Sequence, residues 1–581
     1  MGKFLRDVLV SMAGVFAAIA LISLAFMASV PEVQQTTVYD DSILVMDLSL
    51  PIVDDPKPAG LSALLGYSAD VNPDPLHVIA TSIRLAADDP RIVGLYLTGG
   101  VGSTGWSSLR EIRTALQDFS AAGKPITTYF SYYDERALYL ASVGDRTYAP
   151  PFSEVDLGGP AAEVNYYADA FQRFGVEVQV TRVGKFKSAV EPFMLNQMSA
   201  ENREQIRTLL GDIFEPCLQA IAEGNDIELA KLQSLVAERG VLTSAEGVEV
   251  GLIDNIRYEE EVAKELREIT GEGQWDGAGR YDYEQIWLDD YIDAEYRADE
   301  RVDGGTIAVL FAEGDIIDGG SDDQVGGESL AAKLEAARVD DGIEAVVLRV
   351  NSPGGSASAS EVILHQVELL AAEKPLIISM SDIAASGGYW ISSLADEIYA
   401  DPFTITGSIG VFGMFPNVAN LAKELGVAVE TVELGPYGDP YSLYRSKSDA
   451  ILERLQVSVD EVYDGFLERV ARGRDMEVPD VHEIAQGRVW SGSRALELGL
   501  VDKLGGLGSA LHRAASLAGL SDGYSVEYWN YEASAFEEFL ADLAQETPSD
   551  LVQLQSLVQS VKQLAPRNGV QARLPYRLVL R

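Results

Sequence analysis

The sequence predicts an α/β protein built from two tandem modules, preceded by a single transmembrane helix. Three observations support this fold class. Short β-rich runs alternate with helical stretches, the two halves of the chain can be aligned with each other, and residues Val8–Val30 contain no charge. At 581 residues and 47% hydrophobic composition, the chain is long enough for several domains with apolar cores.

The uncharged run near the N-terminus is long enough to cross the hydrocarbon core of a bilayer. Lys3 and Arg6 precede it, and flanking cations of this kind predict a cytoplasmic N-terminus. A cleaved signal peptide is the alternative, because small residues lie between Ala25 and Ser29. The length of the run favours a retained anchor, with the rest of the chain on the outer face of the membrane.

An internal duplication divides the remaining chain. The segment from about Asp41 to Asn255 aligns with that from about Gly305 to Lys503, and three matched stretches carry the alignment: 43–46 on 307–310, 174–178 on 425–429, and 251–254 on 499–502. The predicted boundaries are therefore 1–30 for the cytoplasmic stub and anchor, 38–256 for the first module, 257–303 for a partly helical connector, 304–521 for the second module, and 522–581 for a tail.

Each module should follow the same order of elements. In the second module we expect strands at Thr306–Phe311, Ala345–Val350 and Leu376–Ser379, with helices at Glu361–Ala372 and Tyr389–Ala395. In the first module the corresponding segments are Gly94–Leu97, Leu109–Phe119, Ile126–Phe130 and a helix from Ala137 onward. In the tail, the apolar spacing from Leu551 to Leu564 is typical of a docking helix.

The two copies have kept different halves of what resembles a catalytic pair. Ser386 of the second copy aligns with Arg136 of the first, whereas Lys187 of the first copy aligns with Gly438 of the second. A Ser-Lys pair completed inside one module would therefore be absent from both. A working enzyme requires Ser386 and Lys187 to meet across a module boundary.

A serine hydroxyl needs a base against it and donors for the oxyanion. Ser386 should follow a strand after a brief turn, near a helix N-terminus, where backbone N–H groups favour negative charge. Lysine can act as the base only when it is neutral, which requires a dry site. Lys185 should point elsewhere, and the apolar neighbours that could exclude water from Lys187 are Phe186, Ala189, Val190 and Phe193. The four histidines lack a companion motif: His77, His365, His482 and His512.

Two glycine-containing turns in the second copy are further candidates. Gly354 and Gly355 follow the strand that ends at Val350, where bare backbone N–H groups can approach a substrate carbonyl. The first copy, which lacks the serine, also lacks this turn. Ser408 lies in a second turn and could orient the lysine amine, although a plain turn is the alternative.

Charge and cysteine content exclude several functions. Asp and Glu number 90 against 44 Lys and Arg, which gives a net charge of −46. This balance argues against a nucleic-acid partner, because phosphate contacts need clustered cations. Cys217 is the single cysteine, so no intrachain disulfide can form. We expect neither a metal ion nor a cofactor.

Five motifs in the same order resemble signal peptide peptidase A in its long, duplicated form. They are NSPGG at 351–355, SDIAASGGYWIS at 381–392, TGSIGVFG at 406–413, GKFKSAVEPF at 184–193 and GLVD at 499–502. The resemblance implies modules of the Clp protease and crotonase type, Ser386 as nucleophile and Lys187 as general base. It also implies a homotetramer on the periplasmic side of the bacterial inner membrane that degrades signal peptides and other hydrophobic peptides after secretion.

Two other functions are compatible with this fold. One is an inert scaffold that binds peptides or partner proteins, but drift alone would rarely leave a complementary serine, lysine and glycine turn. The other is a crotonase-type acyl-CoA enzyme, which fits neither the anchor nor an acidic surface that repels phosphate.

Overall fold

The structure is a computed structural model. It describes residues 37–50, 52–55, 74–102, 104–271, 283–296, 304–321, 324–435, 437–520, 523–529 and 571–573. Within these ranges no helix is long and apolar enough to span a membrane. The predicted anchor at Val8–Val30 and the predicted docking helix at Leu551–Leu564 lie outside the described residues.

The first half of the chain contains ten strands and ten helices among the described residues. The strands are β1 (Ser42–Asp47), β2 (Ile92–Thr98), β3 (Ile126–Tyr129), β4 (Tyr132–Tyr133), β5 (Arg146–Ala149), β6 (Glu154–Asp156), β7 (Glu177–Val183), β8 (Val241–Thr243), β9 (Asn255–Ile256) and β10 (Gln285–Trp287). The helices are α1 (Leu76–Asp88), α2 (Trp106–Ala121), α3 (Glu135–Ala141), α4 (Ala168–Arg173), α5 (Glu191–Met194), α6 (Ala200–Gly224), α7 (Leu229–Glu238), α8 (Ser244–Val250), α9 (Glu259–Thr270) and α10 (Leu288–Tyr291).

The second half repeats this pattern. Its strands are β11 (Gly305–Glu313), β12 (Ile316–Ile317), β13 (Val325–Gly326), β14 (Ile343–Ser352), β15 (Gly354–Ser356), β16 (Leu376–Ala385), β17 (Glu397–Ala400), β18 (Ile405–Gly407), β19 (Val411–Asn417), β20 (Val489–Ser491), β21 (Lys503–Leu504), β22 (Tyr524–Trp529) and β23 (Gln571–Arg573). Its helices are α11 (Gly327–Val339), α12 (Ala357–Ala371), α13 (Gly387–Ser392), α14 (Ala419–Glu424), α15 (Asp449–Arg474), α16 (Val478–Ile484), α17 (Gly492–Glu497) and α18 (Leu507–Ala518).

Each module is organised around a mainly parallel sheet. The first sheet has the order β10-β1-β2-β3-β5-β9, and the second has β20-β18-β16-β14-β11-β22 with β17 and β21 beside β16. The central strands are apolar along almost their whole length, as expected for strands covered on both faces. In β14, for example, the residues from Ala345 to Val350 are all buried. The predicted α/β architecture of two tandem modules is confirmed.

The segments predicted as connector and tail both contribute to the sheets. β10, within 257–303, pairs in parallel with β1, and β22, after residue 522, pairs in parallel with β11. Helix α9 supplies the helical part expected of the connector. The two modules therefore each end with a strand at the same position of their sheets.

A third sheet joins the two modules. Its order is β13-β12-β15-β23-β19-β7, and its last two strands come from different modules. β7 of the first module pairs antiparallel with β19 of the second over seven residue pairs, from Val183 opposite Val411 to Glu177 opposite Asn417. Core residues of the second module, such as Phe403 and Val489, also pack within the hydrophobic core of the first. The duplicated halves are thus one packed body.

Candidate active site

Ser386 lies where the central strand of the second module meets a helix. β16 continues to Ala385, so the brief turn that we expected before the serine is absent, and helix α13 begins directly at Gly387. The N–H of Ser386 donates to the carbonyl of Gly407 at 2.8 Å, and Trp390 N–H donates to the carbonyl of Ser386 at 2.8 Å. These bonds hold Ser386 at φ 57° and ψ −113°. A non-glycine residue in such a conformation carries about 1–3 kcal/mol of strain, of a kind that clusters at functional sites.

Lys187 reaches the second module because β7 is anchored to β19. The chain leaves β7 at Val183, and Phe186 N–H then donates to the carbonyl of Gln486 at 3.0 Å. Gly487 allows the close approach, because a β-carbon at that position would lie 2.6 Å from the backbone nitrogen of Lys187. Its φ of +79° also favours glycine. The first module therefore delivers its lysine into the second.

The two predicted catalytic residues are in contact. Nζ of Lys187 lies 2.8 Å from Oγ of Ser386. The same amine donates to the carbonyl oxygen and to the hydroxyl oxygen of Ser408, each at 3.0 Å. All three side chains are fully buried. Ser408 thus occupies the position expected of a residue that orients the lysine.

The amine of Lys187 is shielded from solvent. Burial lowers the pKa of Lys187 well below its usual range, because an ammonium ion is poorly stabilised away from water. Ala189 and Val190 are buried and form a small apolar cluster with Phe412, and Phe186 is also buried.

Two other residues near the lysine differ in their exposure. We expected Phe193 to help exclude water from Lys187, and the structure does not support this expectation. Phe193 is only half-buried, and its ring stacks on Tyr167 and Phe171. Lys185 is exposed, with its amine 5.1 Å from the centre of the Phe186 ring. Phe186 is the sequence neighbour of both Lys185 and Lys187, so its presence alone does not determine which of the two lysines is buried.

Helix α6 fixes the loop that carries the lysine. Nε2 of Gln205 donates to the carbonyl of Phe186 at 3.1 Å and to Oγ of Ser188 at 3.0 Å, while Ser188 donates to Oδ1 of Asn202. The other end of the Gln205 amide, Oε1, accepts from Val489 N–H at 3.3 Å. These buried polar groups satisfy one another, and they tie the lysine loop of the first module to the second module.

The glycine turn forms the short strand β15 beside the serine. Gly354 has a φ of +91°, and a β-carbon at Gly355 would lie 2.0 Å from the carbonyl oxygen of Ile316. Both positions therefore require glycine. The N–H of Gly354 donates to Oγ of Ser352 at 3.1 Å. A further backbone donor is Gly387, at the first position of α13, where an N–H has no partner within the helix.

A buried charged network supports the turn from the first module. Asp54 bonds to Nε of Arg349 at 2.8 Å and accepts from Nδ2 of Asn351 at 3.1 Å. Asn351 is the first residue of the glycine-turn motif, and its Oδ1 accepts from Ile383 N–H at 3.3 Å. Arg349 and Asp54 are both buried. In so acidic a chain, Asp54 gave no sequence signal of this role.

A strand from the C-terminal tail lies in the cleft between β15 and β19. β23 pairs antiparallel with β15, with Arg573 opposite Gly354 and Ala572 opposite Gly355, and it also pairs with β19 at Phe412. The space between β15 and β19 therefore accepts an extended backbone through ladder hydrogen bonds, which is one of the standard ways in which proteins bind peptides.

An apolar cavity of about 430 Å³ lies beside this cleft. It begins at Ala357 and Ser358, directly after β15, and it is lined by Trp390 on the helix that follows Ser386. Glu361 and Arg469 stand at the cavity as an ion pair, and the guanidinium of Arg469 lies over the Trp390 ring at 5.5 Å. The cavity has the size and lining for a bulky apolar side chain.

The histidines have other partners. His77 stacks on Tyr528 at 3.9 Å between ring centres, and burial lowers its pKa to about 3. His482 contacts Tyr463, His512 contacts Tyr524, and His365 is exposed on α12. Among the described residues, no group of three or more His, Cys, Asp or Glu could hold a metal ion.

A nucleophilic hydroxyl against a buried amine, held between two α/β modules, defines a candidate serine hydrolase. Comparison with known proteins identifies the family. The family model described as peptidase family S49 matches residues 118–271 and 368–521, once in each half of the chain. The chain therefore belongs to peptidase family S49, and it is a serine protease.

Curated relatives cover most of the chain. Protease 4 of Haemophilus influenzae is 36% identical over 78% of this chain and 75% of its own length. Protease 4 of Salmonella typhi is 35% identical over 92% of this chain and 85% of its own. The chloroplastic serine protease SPPA of Arabidopsis thaliana is 31% identical over 84% and 72%. These matches confirm the resemblance seen in the motifs.

Solved structures overlap with parts of the chain. A ClpP1 mutant from Listeria monocytogenes is 12% identical, covers 35% of this chain and 94% of its own, and has a TM-score of 0.24. The fold assignment rests on the sheet topology and the family match, not on this overlap.

Proposed function

We propose that this protein is a membrane-anchored serine endopeptidase with a Ser386–Lys187 dyad, which degrades remnant signal peptides and other hydrophobic peptides after secretion. The observation that carries the proposal is the 2.8 Å distance between Nζ of Lys187 and Oγ of Ser386 in a fully buried site. Geometry and protonation state agree, because burial favours the neutral amine that a general base requires.

The reaction would proceed in two steps. In the first, Oγ of Ser386 attacks the peptide carbonyl carbon while the neutral amine of Lys187 takes the hydroxyl proton. The resulting ammonium donates that proton to the leaving amine as the C–N bond breaks, which leaves an acyl-enzyme ester. In the second, a water molecule attacks the ester, Lys187 takes its proton and returns it to Ser386, and the carboxylic acid is released.

Backbone groups around the serine would receive the oxyanion. The glycine turn at Gly354 and Gly355 and the N–H of Gly387 lie on the two elements that flank Ser386. Without substrate, Gly354 N–H donates to Ser352 Oγ. To stabilise the oxyanion, this N–H would have to give up its bond to Ser352 and donate to the substrate oxygen. Ser408 would keep the lone pair of the amine directed at Ser386 by accepting one of its N–H bonds.

Two features support hydrophobic peptides as substrates. An extended backbone fits between β15 and β19, as β23 does, and the cavity beside Trp390 suits an apolar side chain. We also propose that the modules are of the Clp protease and crotonase type, because each repeats the same strand–helix order and Ser386 lies at the start of a helix. For the intact protein we propose a homotetramer at the bacterial inner membrane, with the N-terminus cytoplasmic and the bulk of the chain periplasmic.

A serine-reactive fluorophosphonate probe and a synthetic signal peptide test the dyad. The wild-type chain should be labelled at Ser386 and should cut the peptide, whereas Ser386→Ala should do neither. Lys187→Ala should also lose labelling and cleavage, while the matched control Lys185→Ala, which changes an exposed lysine two residues away, should keep both. Cleavage by Ser386→Ala, or equal labelling of Lys187→Ala and wild type, would exclude the dyad and favour a scaffold.

The anchor has its own test. N-terminal sequencing of the protein isolated from membranes should give the residues that precede Val8. A sequence that starts near Val30 would instead show a cleaved signal peptide.

A further inference from the structure

One residue of the second module is connected to the lysine amine by two routes. Arg488 immediately precedes β20, and its carbonyl oxygen accepts from Ser408 N–H at 2.7 Å. Ser408 in turn accepts two bonds from Nζ of Lys187. The guanidinium of Arg488 extends to the first module, where Cζ lies 4.7 Å from the centre of the Phe186 ring. Phe186 is the residue next to Lys187, so Arg488 contacts a neighbour of the amine in each module.

Aromatic rings hold the guanidinium of Arg488 more than hydrogen bonds do. Its Cζ also lies 4.4 Å from the centre of the Trp490 ring, and a guanidinium over two rings is attracted to both. The buried Nε has no hydrogen-bond partner among the described residues. Nη2 reaches Glu204 on α6 at 3.1 Å, but the Glu204 side chain is 59% exposed, and ion pairs open to water contribute little. The contact with the two rings therefore fixes the position of Arg488.

The backbone of Phe186 is anchored independently of its ring. Its N–H donates to the carbonyl of Gln486, and its carbonyl accepts from Nε2 of Gln205. The ring has no comparable bond, and it stays buried only while other groups cover it. Lys185 also lies over this ring, at 5.1 Å, but it is exposed. Arg488, with its side chain 18% exposed, is the better-buried of the two cations over the ring.

We propose that Arg488 is a positioning residue for the dyad: by covering the Phe186 ring, it keeps Lys187 in contact with Ser386 and keeps water away from the amine. This inference rests on the proposed function, because the positioning serves the dyad. The groups at the amine are the Ser386 hydroxyl and the hydroxyl and carbonyl of Ser408. Burial lowers the pKa of Lys187, so water that reaches the amine should raise this pKa towards its usual value.

Arg488→Ala tests the inference in the full-length protein, purified in detergent. The substitution removes the guanidinium from Phe186 but keeps the backbone bond to Ser408. The kcat for a fluorogenic apolar peptide should fall about tenfold, with little change in KM, because the side chain contacts the lysine loop at 184–187 and not the substrate. The rising limb of the pH profile should move to higher pH, because the amine becomes easier to protonate. A limb that stays in place or moves to lower pH would overturn the proposal.

Two further variants show whether Arg488 acts through the Phe186 ring. Arg488→Lys keeps the charge, and its ammonium can also lie over a ring, but it lacks the planar guanidinium. Its kcat and its pH limb should therefore lie between those of wild type and Arg488→Ala. Phe186→Leu removes the ring and should shift the limb in the same direction. Combining Phe186→Leu with Arg488→Ala should add little, because both changes remove one contact. Additive losses would show that Arg488 acts elsewhere.

Arg494 on α17 provides the matched control. Its Nε pairs with Asp212 of α6 at 2.6 Å, so it also ties the second module to the helix that supports the lysine loop. Its partner is a carboxylate and not the Phe186 ring. Arg494→Ala should therefore leave the pH limb in its wild-type position. Equal shifts in Arg494→Ala and Arg488→Ala would indicate a general loosening between the modules and would contradict a specific role for Arg488.

A readout without peptidase activity separates this inference from the proposed function. Reductive methylation with formaldehyde and cyanoborohydride, followed by mass spectrometry, measures how accessible each lysine amine is. In the wild-type protein the exposed Lys185 should react and the buried Lys187 should be protected. Arg488→Ala should increase methylation of Lys187 and leave that of Lys185 unchanged. Failure of the wild type to cut peptides would count against the proposed function alone, whereas unchanged protection of Lys187 in Arg488→Ala would overturn this inference.

Discussion

Removing the Ser408 hydroxyl should slow catalysis in a way that depends on pH. Oγ of Ser408 accepts from Nζ of Lys187 at 3.0 Å, while the carbonyl of the same residue accepts a second bond at 3.0 Å. Ser408→Ala removes the first bond and keeps the second. Ser408 has a φ of +51°, and alanine is as strained there as serine, so the substitution changes the hydroxyl and not the backbone.

The expected magnitude follows from the charge on the amine. In the resting enzyme the neutral amine bonds to the hydroxyl, and such a bond contributes about 0.5–1.5 kcal/mol. In the transition state the amine has gained a proton, and a bond to a charged group contributes about 1.5–3 kcal/mol. Only the difference, roughly 1–1.5 kcal/mol, affects the rate. It corresponds to a loss of about 5- to 13-fold in kcat/KM.

The pH profile separates this mechanism from a general disturbance of the core. Loss of an acceptor destabilises the ammonium more than the amine, so the pKa of Lys187 should fall further. The proposed mechanism requires the neutral amine, and the rising limb of the profile should therefore move to lower pH. The full deficit should be seen on the alkaline plateau and should shrink below it. Rates of cleavage of a fluorogenic apolar peptide, measured across pH, provide the assay.

A matched control removes a similar hydroxyl that does not touch the lysine. Oγ of Ser393 is buried and donates to the carbonyl of Trp390 at 2.8 Å. Ser393→Ala should leave the position of the pH limb unchanged. A Ser408→Ala enzyme with wild-type rates, or with a limb moved to higher pH, would refute the role given to Ser408.

Three further predictions concern the lysine, the tail and the number of sites. Lys187→Met should be inactive yet more stable than wild type at pH 7, because the wild-type chain must release the Lys187 proton on folding at any pH below the unfolded-state lysine pKa of about 10.4. The gain in the free energy of unfolding, measured in urea, should therefore be smaller at pH 10 than at pH 7. An equal gain at the two pH values would contradict this. Removal of residues 571–581 should lower KM for peptides, because β23 occupies the cleft; an unchanged KM would show that the strand does not compete. Titration with an irreversible serine-directed inhibitor should label one site per chain at Ser386, and labelling within 131–142 would contradict a silent first copy.

The order of elements could be predicted from the sequence because the modules are built from apolar runs that are buried on both faces. The observed strands and helices fall where those runs lie, with ends that differ by a few residues. The meeting of Ser386 and Lys187 could also be predicted, because each is the one retained member of its aligned position. Neither inference needed the three-dimensional arrangement of the modules.

Other parts of the site depend on contacts that a sequence does not reveal. The turn expected before Ser386 is absent because β16 runs on to pair with β18 through Ala385. Phe193 lies in an apolar sequence context but faces the rings of Phe171 in α4 and of Tyr167 just before it. The position of β23 depends on pairing with β15, more than two hundred residues away. Pairing partners at such separations leave no local pattern.

The first module contributes to the proposed active site, although it lacks the serine. It supplies Lys187 through the pairing of β7 with β19, and it supplies Asp54, which compensates the buried charge of Arg349 under the glycine turn. Removing one partner of a buried ion pair costs about 3–5 kcal/mol when the other charge is left without compensation, and the cost should be smaller here because Arg349 keeps Glu111 as a second partner at 3.2 Å. Asp54→Ala should therefore disturb Asn351 and the turn it begins, even though Asp54 belongs to the copy without a nucleophile. In the proposed site the duplication divides one dyad between two modules, so we expect the loss of either module to abolish activity.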